Sequence, residues 1–296
     1  MAIHEESTEA QRWGASKLFG HLRETNLSKF PWWAFFLVAM GLLITILISG
    51  SQHYRETFNY LKDGIVVTLR ITFTAFPIAT IIGLFAGLSR ASKNVVLYNI
   101  STVYVEIVRG IPLIVIILYV AFGLTPALRD LANQIGNWGL GWADKYFFAG
   151  LFRSLANFSI RDVSEELRAV IALAFGYGAF EAEVFRAGIQ SIGRGQMEAA
   201  RSLGMSYIQA MRYIILPQAI RRVLPPLGND FIALLKDSSL VTVLAVNELT
   251  QLSRLRRSST YRVLETFNVV AFLYLSMTLL LSAGVRLLER YFRYEE

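Results

Sequence analysis

Residues 195–217 read Gly195-Gln196-Met197-Glu198-Ala199-Ala200-Arg201-Ser202-Leu203-Gly204, then nine residues, then Ile214-Ile215-Leu216-Pro217. The stretch lies in a polar segment, 190–217, between two apolar ones, Leu167 to Ile189 and about 218–248. It reads as a short helix on a loop. Glu198 near its start suits the helix dipole, Ala199 and Ala200 permit close approach, and Gly204 permits a sharp turn.

The chain around it is built for lipid. Of 296 residues 54% are hydrophobic, with 20 Phe and 13 Tyr, more apolar surface than a soluble domain of this length buries. There is no Cys, and the 3 His (His4, His21, His53) all lie close to the N-terminal end, which disfavours thiolate or metal catalysis and Ser-His-Asp chemistry. No segment reads GxxxxGK[ST] and no Lys follows a Gly, so the phosphate cradle of an ATPase is absent. The net charge of +7 fits cytoplasmic loops and lipid headgroups in so apolar a chain, rather than nucleic acid.

Six spans are expected: Trp32 to Ser49, Ile65 to Leu88, Val95 to Phe122, Leu167 to Ile189, about 218–248, and Thr266 to Val285. Residues 1–31 read as a cytoplasmic segment, 32–60 as the first span with its outer loop, and 61–292 as the main membrane domain. Within that domain 124–167 reads as an external insertion with short surface helices. The third span is interrupted at Arg109-Gly110-Ile111-Pro112, where proline removes a donor and a kink is expected. Basic residues favour a cytoplasmic N-terminus, 90–93 turn, 194–222 stretch and C-terminus. Arg254, Arg256, Arg257 and Arg262 oppose that rule, because this topology puts them outside.

Charges inside spans are functional candidates. Glu106 and Arg109, and likewise Glu183 and Arg186, are three residues apart, so each pair can share a helical face and partly neutralise itself. They either fix packing or a gate together with Pro112, or touch solute. Glu181 is turned about 200° from Glu183 and has Tyr177, Gly178 and Phe185 as same-face neighbours. That would suit a small aromatic pocket for an ammonium, with Arg70 or Lys236 as the competing partners. Asn229, Lys236 and Asp237 complete the pathway candidates.

The loop resembles the EAA loop of ABC importer permeases, whose pattern is EAA, three residues, Gly, nine residues and I-x-L-P. Ala182-Glu183-Val184-Phe185-Arg186-Ala187-Gly188-Ile189, Leu224-Pro225-Pro226-Leu227-Gly228-Asn229, Leu235-Lys236-Asp237-Ser238-Ser239-Leu240, Thr68-Leu69 and Val108-Arg109-Gly110-Ile111-Pro112-Leu113 look like the polar amino acid branch. The resemblance covers about 60–290 and implies an all-α, polytopic membrane helical bundle: a five-helix importer permease core plus an N-terminal span. It implies coupling through Gln196, Glu198, Ala199, Ala200, Leu203 and Gly204. The partners it implies are two ABC ATPase subunits that bind the ATP and Mg, a second permease subunit, identical or homologous, an extracytoplasmic substrate-binding protein, and membrane lipids. No cofactor is bound by this chain, and its implied location is the inner membrane of a prokaryote. Small members of the branch lack the 124–167 insertion, and position 181 is usually apolar in them. The competing readings are a permease for another small polar solute, such as an osmolyte or opine, an ATP-independent secondary carrier, and a membrane scaffold without transport. Secondary carriers often show two inverted repeats, and no internal repeat is evident here.

Overall fold

The computed structural model describes residues 32–143 and 147–292, and the N-terminal segment 1–31 lies outside them. The chain is an all-α membrane bundle, without a strand among the described residues. Helix α1, Trp32–Gly50, is an apolar rod of 19 residues forming a unit by itself. All further elements belong to a second unit.

That unit opens with α2, Gln52–Ala91, whose 40 residues begin well before the expected Ile65. Nothing between Gln52 and Ile65 breaks a helix, so the polar approach and the apolar span form one element. Helix α3, Val95–Gly110, is capped by Asn94, whose side chain accepts from the backbone of Val96 and Leu97. The expected kink is a full break, with Ile111 and Pro112 extended between α3 and α4, Leu113–Tyr119. A π turn, Val120–Leu124, joins α4 to α5, Thr125–Ala143. The segment from 124 is therefore more than short surface helices, since its first 19 residues prolong the third span. Helix α6, Ala149–Ala156, folds back onto α5, where Gly136 and Gly139 make room for Ala156 and Phe152.

Helix α7, Glu165–Gln190, is the centre of the core. Gly83 and Gly87 of α2 sit one turn apart against its backbone; a Cβ at Gly83 would lie 2.7 Å from Glu181 Cβ, and one at Gly87 2.7 Å from Ala182 O. Buried Ala75, Ala79, Ala86, Ala172, Ala179 and Ala182 continue this small-residue seam, as membrane packing by close approach requires.

After the loop helix α8, Arg194–Ser202, and the short α9, Tyr207–Ala210, a π turn leads into α10, Leu216–Asp237. The fifth span is thus helical only to Asp237; a 3-10 stretch, Ser238–Leu244, ends at Ala245 with φ 57°. Helix α11, Leu249–Thr260, begins on Glu248, a fully buried carboxylate that accepts from Gln251 N at 2.6 Å, Thr250 N at 2.7 Å and Tyr274 Oη at 3.0 Å. Its first residue packs on Gly64, and Leu249 N donates to Thr68 Oγ1, joining α11 to α2. The last helix is α12, Val263–Phe292.

Among the described residues three helices are long and apolar enough to cross a membrane by length and composition: Gln52–Ala91, Leu113–Trp142 and Val263–Tyr291. Helices α7 and α10 carry charges along their length, among them Glu181, Glu183, Arg186 and Asp230. The four exceptional arginines lie on α11 and just beyond its end. Arg256 pairs with Glu56 at 3.2 Å, near the start of α2, and stacks over Tyr60; Arg257 lies over Phe267 and Arg262 reaches Glu265 at 4.0 Å.

Candidate functional site

The α8 loop is a helix with two different sides. Ala200 is buried and Met197 packs on Ile192, Ile215 and Ala219, seating α8 on the bundle. Gln196, Glu198, Ala199, Leu203 and Gly204 face outward, Leu203 at 84% exposure, with Tyr207, Ile208 and Tyr213 exposed beside them. Gly204 adopts φ +82°, and Met205 N donates to Ala200 O at 3.1 Å, so the expected sharp turn is a left-handed helix C-cap. Glu198 departs from expectation. It is the fifth residue of α8, and no acid stands in the first turn, so the helix dipole does not explain it.

The two stalks of the loop are fastened together. Arg222 Nη1 of α10 donates to Ser191 O at the end of α7 at 2.5 Å, and Gly188 of α7 accommodates Val223. The two ends of the α8 loop are thus joined to each other through α7 and α10.

Beside this joint lies a groove of about 560 Å³ with Arg109, Phe180, Glu183, Arg222, Pro226 and Asp230 in its wall. Both charge signs and an aromatic ring face one space. Asp230 lines the groove, with its Oδ2 buried and without a hydrogen-bond partner.

Glu183 is the groove's anchored acid. It pairs with Arg186 on its own helix and accepts from Arg90 Nη1 at 2.9 Å, while Arg90 Nη2 reaches Glu106 at 3.2 Å. The expected pair of Glu106 with Arg109 is thus replaced: Glu106 is held by Arg90, and Arg109 faces the groove. Arg90 had been legible only as part of a basic turn, because its partners stand 16 and 93 residues away.

Glu181 is not where a solute could meet it. It is 0% exposed, both carboxylate oxygens lack a hydrogen-bond partner, and it packs against Gly83. The aromatic pocket expected around it is filled by α2. Nor does it reach the bases considered: Arg70 pairs with Glu166 at 3.6 Å, and Lys236 is exposed. Tyr177 and Asp237 do meet, through a 2.7 Å hydrogen bond. Asn229 and Lys236 are exposed and do not line the groove, and Pro112 sits at the α3–α4 break. Asp230 and Arg222, in contrast, line it; their signal was charge in an otherwise apolar segment. Among the described residues no cluster of three His, Asp or Glu is placed to hold a metal.

A family model described as "Binding-protein-dependent transport system inner membrane component" matches residues 79–294. The chain belongs to this family. The α8 loop, its stalks and the groove all fall inside the part of this inner membrane component that the family model matches. The chain is 37% identical over 236 residues to GlnM of Bacillus subtilis (strain 168), designated a probable glutamine ABC transporter permease protein, covering 79% of this chain and 94% of GlnM. It is 31% identical over 234 residues to the nopaline transport system permease protein NocM of Agrobacterium fabrum, covering 79% and 88%. A solved amino acid ABC transporter, crystallised with histidines, superposes with a TM-score of 0.62 at 35% identity, covering 81% of this inner membrane component and 95% of that chain.

Proposed function

We propose that this chain is the membrane-spanning subunit of an ATP-driven importer that carries amino acids across the cytoplasmic membrane of a prokaryote by alternating access. The observation that carries the reading is the α8 helix: seated on the bundle by one side, exposed on the other, and tied through Arg222 and Ser191 to the helices that wall a polar groove. Two ATPase subunits grip α8 and hold the ATP and Mg, so this chain binds no cofactor and performs no covalent chemistry. A second permease subunit faces the groove from the other side, and an extracytoplasmic binding protein delivers the solute. Bases and acids together in the groove suit a zwitterion, whose carboxylate and ammonium need opposite partners. The likeness to NocM favours a second reading, another small polar solute in the same groove.

The experiment is uptake of labelled L-amino acids into vesicles holding the reconstituted complex. Saturable uptake that stops when ATP hydrolysis stops supports the proposal, and competition by glutamine, histidine or nopaline names the solute. Uptake by this chain without an ATPase partner overturns it in favour of a secondary carrier.

A further inference from the structure

Helices α2, α10 and α12 leave a second groove between them, of about 740 Å³, which shares no wall residue with the charged groove beside the α8 loop. Its walls are apolar. Phe73 and Phe76 of α2 meet Phe231 of α10 edge to face, with ring centroids 5.2 and 4.9 Å apart, and α12 supplies Leu281 and Leu288. The space exists because the helices touch at one level and leave the next unfilled: a Cβ at Gly228 would lie 2.3 Å from Val285 Cγ1, whereas one at Gly284 would meet nothing within 4 Å. Glu289, near the end of α12, is the single charged residue in the wall.

The groove runs along the spans, with one polar end and one apolar end, and α12 sets their depth. Thr266–Val285 carries no charge and rises about 30 Å at about 1.5 Å per residue, the thickness of the hydrocarbon. Arg286, Glu289 and Arg290, the first charges after it, therefore stand among the headgroups, and Leu281 lies about 6 Å inside the hydrocarbon. Leu224, another wall residue, is about two turns from the start of α10, so this is the leaflet on the side of the α8 loop. Arg286 and Arg290 are exposed and Glu289 is half-buried. Among the described residues none of the three makes an ion pair, although Arg286 and Glu289 have the spacing for one.

Water is a poor occupant of walls with so few polar groups, and unpaired charges at the mouth suit a ligand that is not purely apolar. The fitting ligand is an amphiphile: an apolar body for the phenylalanines, a cation for Glu289 and an anion for the two arginines. We propose that the groove between α2, α10 and α12 is a phospholipid site, holding an acyl chain of phosphatidylethanolamine, with its ammonium on Glu289 and its phosphate on Arg286 and Arg290. The bilayer itself supplies this ligand. The site serves whichever solute the charged groove takes, and it does not depend on the importer reading.

The full chain, purified with its partner subunits, is mixed with equal amounts of phosphatidylethanolamine and phosphatidylglycerol, and the lipid it retains is counted by native mass spectrometry. The unaltered chain is expected to retain phosphatidylethanolamine several-fold over phosphatidylglycerol. Glu289→Gln is expected to remove that preference, and Gly284→Leu, which puts a side chain into the open space, to lower retention of both. Unchanged thermal unfolding serves as proof of folding, and Leu281→Trp is the second blocking variant if Gly284→Leu fails to assemble. Phosphatidylethanolamine with a diazirine on its acyl chain is expected to label α2, α10 or α12, and to do so less in the blocked variant. No preference in the unaltered chain, a preference that Glu289→Gln leaves in place, or labelling confined to other helices overturns the proposal. So does disulfide formation between copies carrying Leu288→Cys, readable because the chain has no other Cys, since it would show a second copy of this chain closing the groove.

Discussion

Tyr177 of α7 donates a 2.7 Å hydrogen bond to Asp237 Oδ2 at the end of α10, closing a loop of 60 residues that contains the whole of α8. Tyr177 is almost fully buried. Tyr177→Phe leaves a carboxylate without this donor, and the expected loss is about 1–3 kcal/mol. Thermal unfolding of the purified complex measures it; an unchanged transition would show that the bond contributes nothing.

Arg90 holds two acids from two other helices, with its own side chain only 10% exposed. Arg90→Leu is expected to destabilise by about 2–3 kcal/mol, because Glu183 loses a partner at the edge of the groove. Glu106→Gln, at a side chain 66% exposed, should cost no more than about 1 kcal/mol. Comparable losses for the two variants would contradict the asymmetry.

Glu181→Gln keeps the shape of a side chain whose oxygens have no partner, while removing any buried charge. Stability is expected to hold or rise by about 1 kcal/mol or more, with solute preference unchanged. Asp230→Asn, on the groove, is expected to weaken uptake by about tenfold, the effect of some 1.4 kcal/mol in solute binding. Paired transport assays decide; the reverse ranking would move the pathway to the α2–α7 seam.

At that seam, Gly87→Val must find room where a Cβ already meets Phe185 Cβ at 2.7 Å. Overpacking of about 1–3 kcal/mol or more is expected, read as reduced yield of folded chain in the membrane.

Leu203→Asp places a charge on the exposed side of α8. ATPase docking is expected to lose about 2 kcal/mol, roughly thirtyfold in affinity, while the isolated chain unfolds unchanged. Pull-down of the ATPase against thermal unfolding separates the two.

The parts of this architecture that local pattern controls were readable in advance. Gly204 had to permit a turn, Pro112 had to interrupt its span, and the 200° between Glu181 and Glu183 had to send them to different faces. What each face met was not readable, because it depends on residues far away in sequence. Glu181 was expected to border a pocket, yet Gly83 lets α2 approach until none remains. Glu106 was matched to Arg109 by spacing, but the arm that reaches it comes from Arg90. Glu248 gave no signal at all: Glu is an uncommon N-cap residue, and only the folded chain shows its three donors.

The groove has a numerical consequence. Arg109, Glu183, Arg222 and Asp230 come from α3, α7 and α10 of one chain, so each copy brings a complete set of charges. A pore built from two identical copies would hold two equivalent solute positions related by a twofold axis, whereas a mixed pore would hold one such position and a second of different composition. If the groove takes the solute, two equal affinities report identical copies meeting across the membrane, and two unequal affinities report a mixed pair.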